Sequence, residues 1–150
     1  MKISLPILFL ALLGTSISFA GDKQQGNLVA PIADQTAIDG CSWSASSVRA
    51  GKGFIFLAEY DLSRVLMNID GVDVELKLGS RKGHLKKPGS VSNMTYRAKG
   101  IAVDATYRTT WLCPEDDTSE SCEVTRFKAT YEVFKGSRHQ VVHATGDVGC

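Results

Sequence analysis

Residues 64–77, RVLMNIDGVDVELK, decide the fold. Asp70-Gly71 suits a two-residue type I′ turn, in which both central residues take positive φ. Pairing across that turn sets Ile69 opposite Val72, Met67 opposite Val74 and Val65 opposite Leu76, so these apolar side chains share one face. Asn68 with Asp73, Leu66 with Glu75 and Arg64 with Lys77 fall on the other. Turn chemistry and alternation agree independently, and the stretch reads as an antiparallel hairpin.

Strand patterns continue on both sides of it. Phe54 to Tyr60 (FIFLAEY) is a near-continuous apolar strand, and Cys41 to Val48 a weaker one. In Ile101 to Leu112, the residues Ile101, Val103, Ala105, Tyr107 and Trp111 alternate with Asp104, Thr106, Arg108 and Thr110. Glu123 to Phe134 places Phe127, Ala129, Tyr131 and Val133 on one parity, and a bulge near Thr125-Arg126 is expected to return Val124 to that face. Lys135 to Arg138 reads as a turn and His139 to Thr145 as a last strand. Short strands at this spacing, with no long amphipathic segment, predict an all-β antiparallel meander over residues 39–150. A barrel is preferred to a sandwich because closure removes exposed edges.

Met1 to Ala20 carries one early cation, the short apolar run ISLPILFLALL and the small-residue ending Ser18-Phe19-Ala20. This is the pattern of a cleaved secretory signal peptide. Gly21 to Ile38 shows no periodicity and reads as a flexible leader. Removing residues 1–20 takes away Lys2 and no acid, so the formal charge falls from +1 to 0. A neutral chain has no global field for nucleic acid, and it lacks a second apolar run of about 18 residues, so membrane insertion of the mature chain is not expected. The expected location is the periplasm or outside the cell.

Export makes the four cysteines disulfide candidates rather than thiol nucleophiles. The favoured pairing is Cys113–Cys122, at the base of Pro114 to Ser121, with Cys41–Cys150, which closes a long loop for about 4–5 kcal/mol in the chain-entropy model. The rival pairing joins Cys122 to Cys150 and Cys41 to Cys113, because a turn near Gly136-Ser137 sets residues 122 and 150 almost opposite each other.

Three charged or histidine clusters are candidate sites. His139 and His143 are four apart, which in a strand is about 13 Å and too far for one metal. Glu115, Asp116, Asp117 and Glu120 lack the glycine and alternating spacing of a calcium loop, and read as a solvated hairpin tip. Arg81, Lys82, His84, Lys86 and Lys87 form a basic loop suited to an anionic surface or an acidic cleft. No nucleophile elbow or metal-ligand spacing is present, so no catalytic residue, metal or cofactor is assigned and the chain is read as a non-enzyme.

The cysteine opening the domain, the Asp-Gly hairpin and Ser92-Asn93-Met94-Thr95-Tyr96 before an alternating strand resemble the bacterial periplasmic inhibitors of C-type lysozyme. That resemblance implies a small disulfide-bearing barrel whose motif serine enters the lysozyme cleft, with Ser92 and Tyr96 in the motif positions and Asn93 replacing its glycine. Arg108 stands nearest the family's blocking lysine. The CSW start and the MNIDGVDVELKL hairpin also resemble uncharacterised small exported β-proteins of proteobacteria. The functional expectation is an envelope binding protein whose partner is another protein, an inhibitor of a lysozyme-type cell-wall hydrolase. The expected binding residues are Arg81, Lys82, Lys86, Lys87, Ser92, Tyr96 and Arg108, inserted into a cleft of paired carboxylates. Two alternatives stand beside it. One is a structural or stress protein docked on another protein; the other is a carrier of a small apolar ligand, with Phe54, Phe56, Tyr107 and Trp111 lining the barrel.

Overall fold

The computed structural model describes residues 26–114, 117 and 122–150. The expected signal peptide, and Glu115, Asp116 and Glu120 of the acidic cluster, lie outside the described residues. Nine strands are present among the described residues: β1 (Val29–Ala30), β2 (Ser42–Ser46), β3 (Phe54–Glu59), β4 (Val65–Ile69), β5 (Val72–Gly83), β6 (Val91–Ala98), β7 (Ile101–Trp111), β8 (Val124–Lys135) and β9 (Arg138–Gly149). β2 to β9 run antiparallel in chain order, and β9 returns to pair with β2, closing an eight-stranded barrel; β1 lies outside it on β4.

The hairpin that set the expectation has the expected register, from Ile69↔Val72 to Val65↔Leu76. Asp70 and Gly71 take φ of 60° and 82°, as the turn demands. The seam between β2 and β9 runs from Ser42↔Gly149 to Ser46↔Thr145. Only glycine fits at 146, because a Cβ there would collide with the Ser44 carbonyl oxygen and sit 2.9 Å from the Ala45 Cα. The favoured disulfides are both formed. Cys41–Cys150 fastens the end of the seam and Cys113–Cys122 the β7–β8 loop.

Side chains fill the barrel. Trp43, Phe56, Tyr96, Tyr107, Phe127 and Tyr131 are all buried, with neighbouring ring centroids 5.1–6.3 Å apart. Phe56 and Tyr107 are therefore core rather than the lining of an open calyx. Two other inward expectations are corrected by bulges. Ala45 faces Phe56 and Ser46 faces Phe54, so Ile55 is the extra residue and Phe54 turns outward, 38% exposed. Thr109 faces Phe127 and Trp111 faces Arg126, so Thr110 is extra and Trp111 lies on the outer face. The bulge expected near Thr125-Arg126 is thus in the partner strand. β8 pairs with β9 without interruption from Val124, which stays half-buried.

The expected leader also needs correction from Leu28 onward. Leu28, Val29, Ile32 and Ile38 are buried. Leu57 and Leu66 project from the outer face of β3 and β4, and Ile32 and Ile38 close over them as a second apolar cluster. Burial of each such side chain contributes about 1.5–3 kcal/mol, enough to order a segment without regular structure. Polar contacts fix it further. The Gln140 side-chain oxygen accepts from Leu28 N (2.7 Å) and Val29 N (2.9 Å), and Arg64 donates to the Ala37 carbonyl (2.8 Å).

Antiparallel succession puts the turns at 70–71, 99–100 and 136–137 at one end of the barrel. The loops at 60–64 and 84–90, the end of β7 at Trp111, the start of β8 at Val124 and both disulfides lie at the other. That second end carries the candidate residues.

Candidate functional site: a basic face beside the barrel mouth

The cations expected in a single loop are divided by the sheet. β5 continues to Gly83, so Arg81 and Lys82 are strand residues on opposite faces, and the loop proper is 84–90. Lys82 pairs with Asn93 and points outward; Arg81 pairs with Met94 and points in at the barrel mouth. Ser92 and Tyr96 are not surface groups at all, both being 0% exposed. They share the inward parity of Met94. Ser92 donates to the Gly83 carbonyl (3.3 Å), and the Tyr96 hydroxyl lies 3.0 Å from that of Tyr107. Burial pushes the Tyr96 phenol up to about 12, against the opposing pull of its bond to Tyr107 and of the Arg81 charge. Neither residue can enter a partner's cleft without unfolding the barrel wall.

The turn that begins at Lys87, next after Lys86, is brought against Arg108. Lys87-Pro88-Gly89-Ser90 forms a tight turn, with Ser90 N donating to the Lys87 carbonyl (3.0 Å) and Gly89 at φ 84°. Proline followed by a positive-φ glycine is the type II pattern. Bonds from Gly89 N to Thr109 O (2.8 Å) and from Thr109 N to Ser90 O (2.9 Å) tie this turn to β7. Arg108 donates to the Gly89 carbonyl at 3.2 Å, placing its guanidinium against the turn that Lys87 opens.

Register adds a cation that local sequence did not single out. Arg108 stands directly opposite Lys128 of β8, both exposed on the outer face. Like charges facing each other across strands are destabilising. Among the described residues no carboxylate pairs with either one. Arg126, two residues from Lys128 on the same face of β8, lies over the Trp111 ring at 5.1 Å. Towards the opposite end the same outer face carries the Arg97–Asp104 ion pair (2.9 Å), and the His139 ring lies 3.7 Å from the Glu132 carboxylate.

Apolar surface adjoins these cations. Lys128, Ser46 and Thr145 line both of two adjoining depressions of ≈ 390 and ≈ 520 Å³ over β2, β9 and β8. Phe54 borders the first and Val48, 100% exposed, borders the second. Cross-strand neighbours of this kind join residues far apart in sequence, so no local pattern marked Lys128, Val48 or Phe54 as a group.

The remaining candidates stay apart. His143 contacts Thr130 (3.1 Å), whereas His139 stacks on Phe134 with ring centroids 4.4 Å apart. Cys113, Asp117 and Cys122 approach one another, but the two sulfurs are bonded together and offer no thiolate. No protein-family model matches the chain, and no curated protein or solved structure matches it significantly.

Proposed function

We propose that this chain is an exported, non-enzymatic binding protein that docks an acidic surface of another protein onto Lys86, Lys87, Arg108 and Lys128. The observation that carries the reading is the Arg108–Lys128 pair: two cations held face to face with no acid paired to either among the described residues. A partner carboxylate placed between them would remove the repulsion and add attraction, which favours fast, charge-steered association. Exposed Val48 and Phe54 beside Lys128 supply the apolar contact that a protein partner offers and a bare polyanion does not. Two disulfides fit an oxidising compartment outside the cytoplasm.

Within that class the reading favoured is an inhibitor of a cell-wall hydrolase of the lysozyme type. Its paired catalytic carboxylates are an acidic target, and a cation between them would block substrate and attacking water together. The inserting element would be the rigid Lys87–Ser90 turn with Lys86 and Arg108. Ser92 and Tyr96 have no part in this version, being buried.

The test uses immobilised lysozymes and two charge reversals, Arg108→Glu and Lys128→Glu. Each is expected to weaken retention about tenfold or more, and retention should fall steeply with salt. Lys128→Glu should also raise the thermal midpoint at low salt, since it replaces a cross-strand repulsion by an attraction of roughly 0.2–1 kcal/mol. No retention or inhibition at micromolar excess removes the hydrolase reading. Binding indifferent to both reversals removes the basic face.

A further inference from the structure

We propose that the open end of the barrel holds a second site, for a small carboxylate with a single ring or short apolar chain, centred on Arg81 and Trp43. The reading is independent of the basic outer face, because Arg81 points the other way.

A bulge creates the arrangement. Leu78 pairs with inward-facing Tyr96, and Ser80 pairs with Thr95, so Gly79 is an extra residue in β5. In regular alternation Ser80 would face inward with Leu78, and Arg81 would point to solvent. The additional residue reverses this, turning Ser80 out to Thr95 (2.9 Å) and bringing Arg81 in beside Met94. Glycine at the bulge leaves room for the Thr95 hydroxyl, which a Cβ at 79 would approach to 2.9 Å and have to displace. Bulges that re-aim one side chain are a recurrent device next to functional sites.

The barrel wall is also incomplete there. β4 begins at Val65, opposite Leu76, so β5 from Lys77 to Gly83 is paired only on its β6 side. Across this notch lies a cavity of ≈ 160 Å³ lined by Trp43, Tyr60, Arg81, Leu85 and Val148. Its floor is the Trp43 indole, fixed by Nε1 donating to the Tyr60 carbonyl at 3.1 Å and by packing on Tyr107 and Phe127. The Arg81 guanidinium lies 5.9 Å from the indole centroid. Among the described residues it has neither a carboxylate nor a hydrogen-bond acceptor.

These features define the ligand's chemistry. A planar fork of donors without an anion matches a carboxylate in bidentate geometry. Tryptophan, leucine, valine and a tyrosine ring around it match an apolar remainder. The volume is well below the range of about 300–1,000 Å³ typical of sites for drug-sized molecules, so the ligand is a fragment with one ring or a short chain. Barrel mouths are a preferred place for such sites.

Benzoate and hexanoate are suitable probes, with benzyl alcohol as the neutral control. In the disulfide-bonded Trp111→Phe protein, Trp43 is the sole indole beyond residue 20, and both its emission and its indole N–H resonance report on the site. Benzoate or hexanoate should shift both saturably, and benzyl alcohol should bind about tenfold more weakly, as expected when a charged hydrogen bond is lost. Arg81→Gln should weaken the carboxylates about tenfold without moving the thermal midpoint, and Arg81→Lys should fall between. The proposal is overturned by an unsaturated response at about 10 mM carboxylate. It is equally overturned if Arg81→Gln binds as tightly as the parent, or if the neutral control binds as well as benzoate.

Discussion

The two disulfides should differ nearly twofold in their contribution to stability, and the difference follows from where each sits. Cys41–Cys150 spans a separation of 109 residues and locks the β2–β9 seam one step beyond the Ser42↔Gly149 pair. Cys113–Cys122 spans 9 residues within one loop. In the chain-entropy model, opening the first costs about 4.8 kcal/mol and opening the second about 2.6 kcal/mol. A domain of this size has about 5–15 kcal/mol in total, so loss of the seam bond takes it towards the unfolding threshold. The comparison needs Cys41→Ser/Cys150→Ser against Cys113→Ser/Cys122→Ser, each followed by urea unfolding. With a slope near 1.75 kcal/mol per molar urea, the midpoints should fall by about 2.7 M and about 1.5 M. Amide exchange should quicken first at residues 42–46 and 145–149 in the seam variant, because closure there joins the first and last strands of the barrel. If the loop variant loses as much as the seam variant, or exchange quickens equally around the barrel, the seam is not the mechanical key of the fold and the reasoning fails.

Two further outcomes are expected. Burial raises the phenol of Tyr96 to about 12 and lifts those of Tyr107 and Tyr131 well above the ordinary tyrosine value. These raised values contribute stability that is complete below the unfolded tyrosine value near 10 and is lost as pH climbs through the folded ones. The ultraviolet phenolate signal of these three residues should therefore appear together with the loss of near-ultraviolet circular dichroism. Their ionisation in a still-native barrel would contradict the core assignment. Gln140→Leu should leave the Leu28 and Val29 amides without their acceptor, at a cost of about 1–3 kcal/mol. Exchange of those two amides should accelerate while the barrel strands stay protected, and unchanged protection would mean that the N-terminal segment is held by its apolar contacts alone.

What was legible in the sequence was what depends on neighbours along the chain. The Asp70-Gly71 turn specified its own register, and alternation then identified Val103, Ala105, Tyr107, Phe127 and Tyr131 as core. The errors of facing share one cause. At Ile55, Gly79 and Thr110 one strand gains a residue relative to its partner, and a single added residue reverses the face of everything beyond it. Phe54 and Trp111 were misplaced by such shifts, whereas Arg81 and Lys82 were read as loop residues because β5 runs on to Gly83. The leader was misread differently: its composition is polar, but Leu66 on the outer face of the best hairpin required a cover, which Ile32 and Ile38 provide. Ser92 was misplaced by reasoning from a motif, although its shared parity with Met94 and Tyr96 already pointed it into the barrel.

The outer face of β6 to β9 has acids, so the bare Arg108–Lys128 pair is not explained by their scarcity. Asp104 and Glu132 stand directly opposite each other four residues along each strand, Asp104 is ion-paired with Arg97, and the His139 ring lies 3.7 Å from Glu132. Exchanging Lys128 with Glu132 would leave net charge unchanged and convert two like-charge pairs into two opposite-charge pairs, Arg108 with Glu and Asp104 with Lys. By the cross-strand rule each exchanged pair gains roughly 0.2–1 kcal/mol. The sequence forgoes that gain and concentrates positive charge at the end where the Lys87–Ser90 turn is stitched down. Folding alone gives no reason for this segregation, whereas recognition of an acidic partner does. The swapped variant, Lys128→Glu/Glu132→Lys, separates the two explanations: it should be more stable at low salt, lose that advantage at high salt as the charges are screened, and bind less well. A swapped protein that is no more stable would show that the repulsion is already relieved by solvent, and the argument from segregation would lose its force.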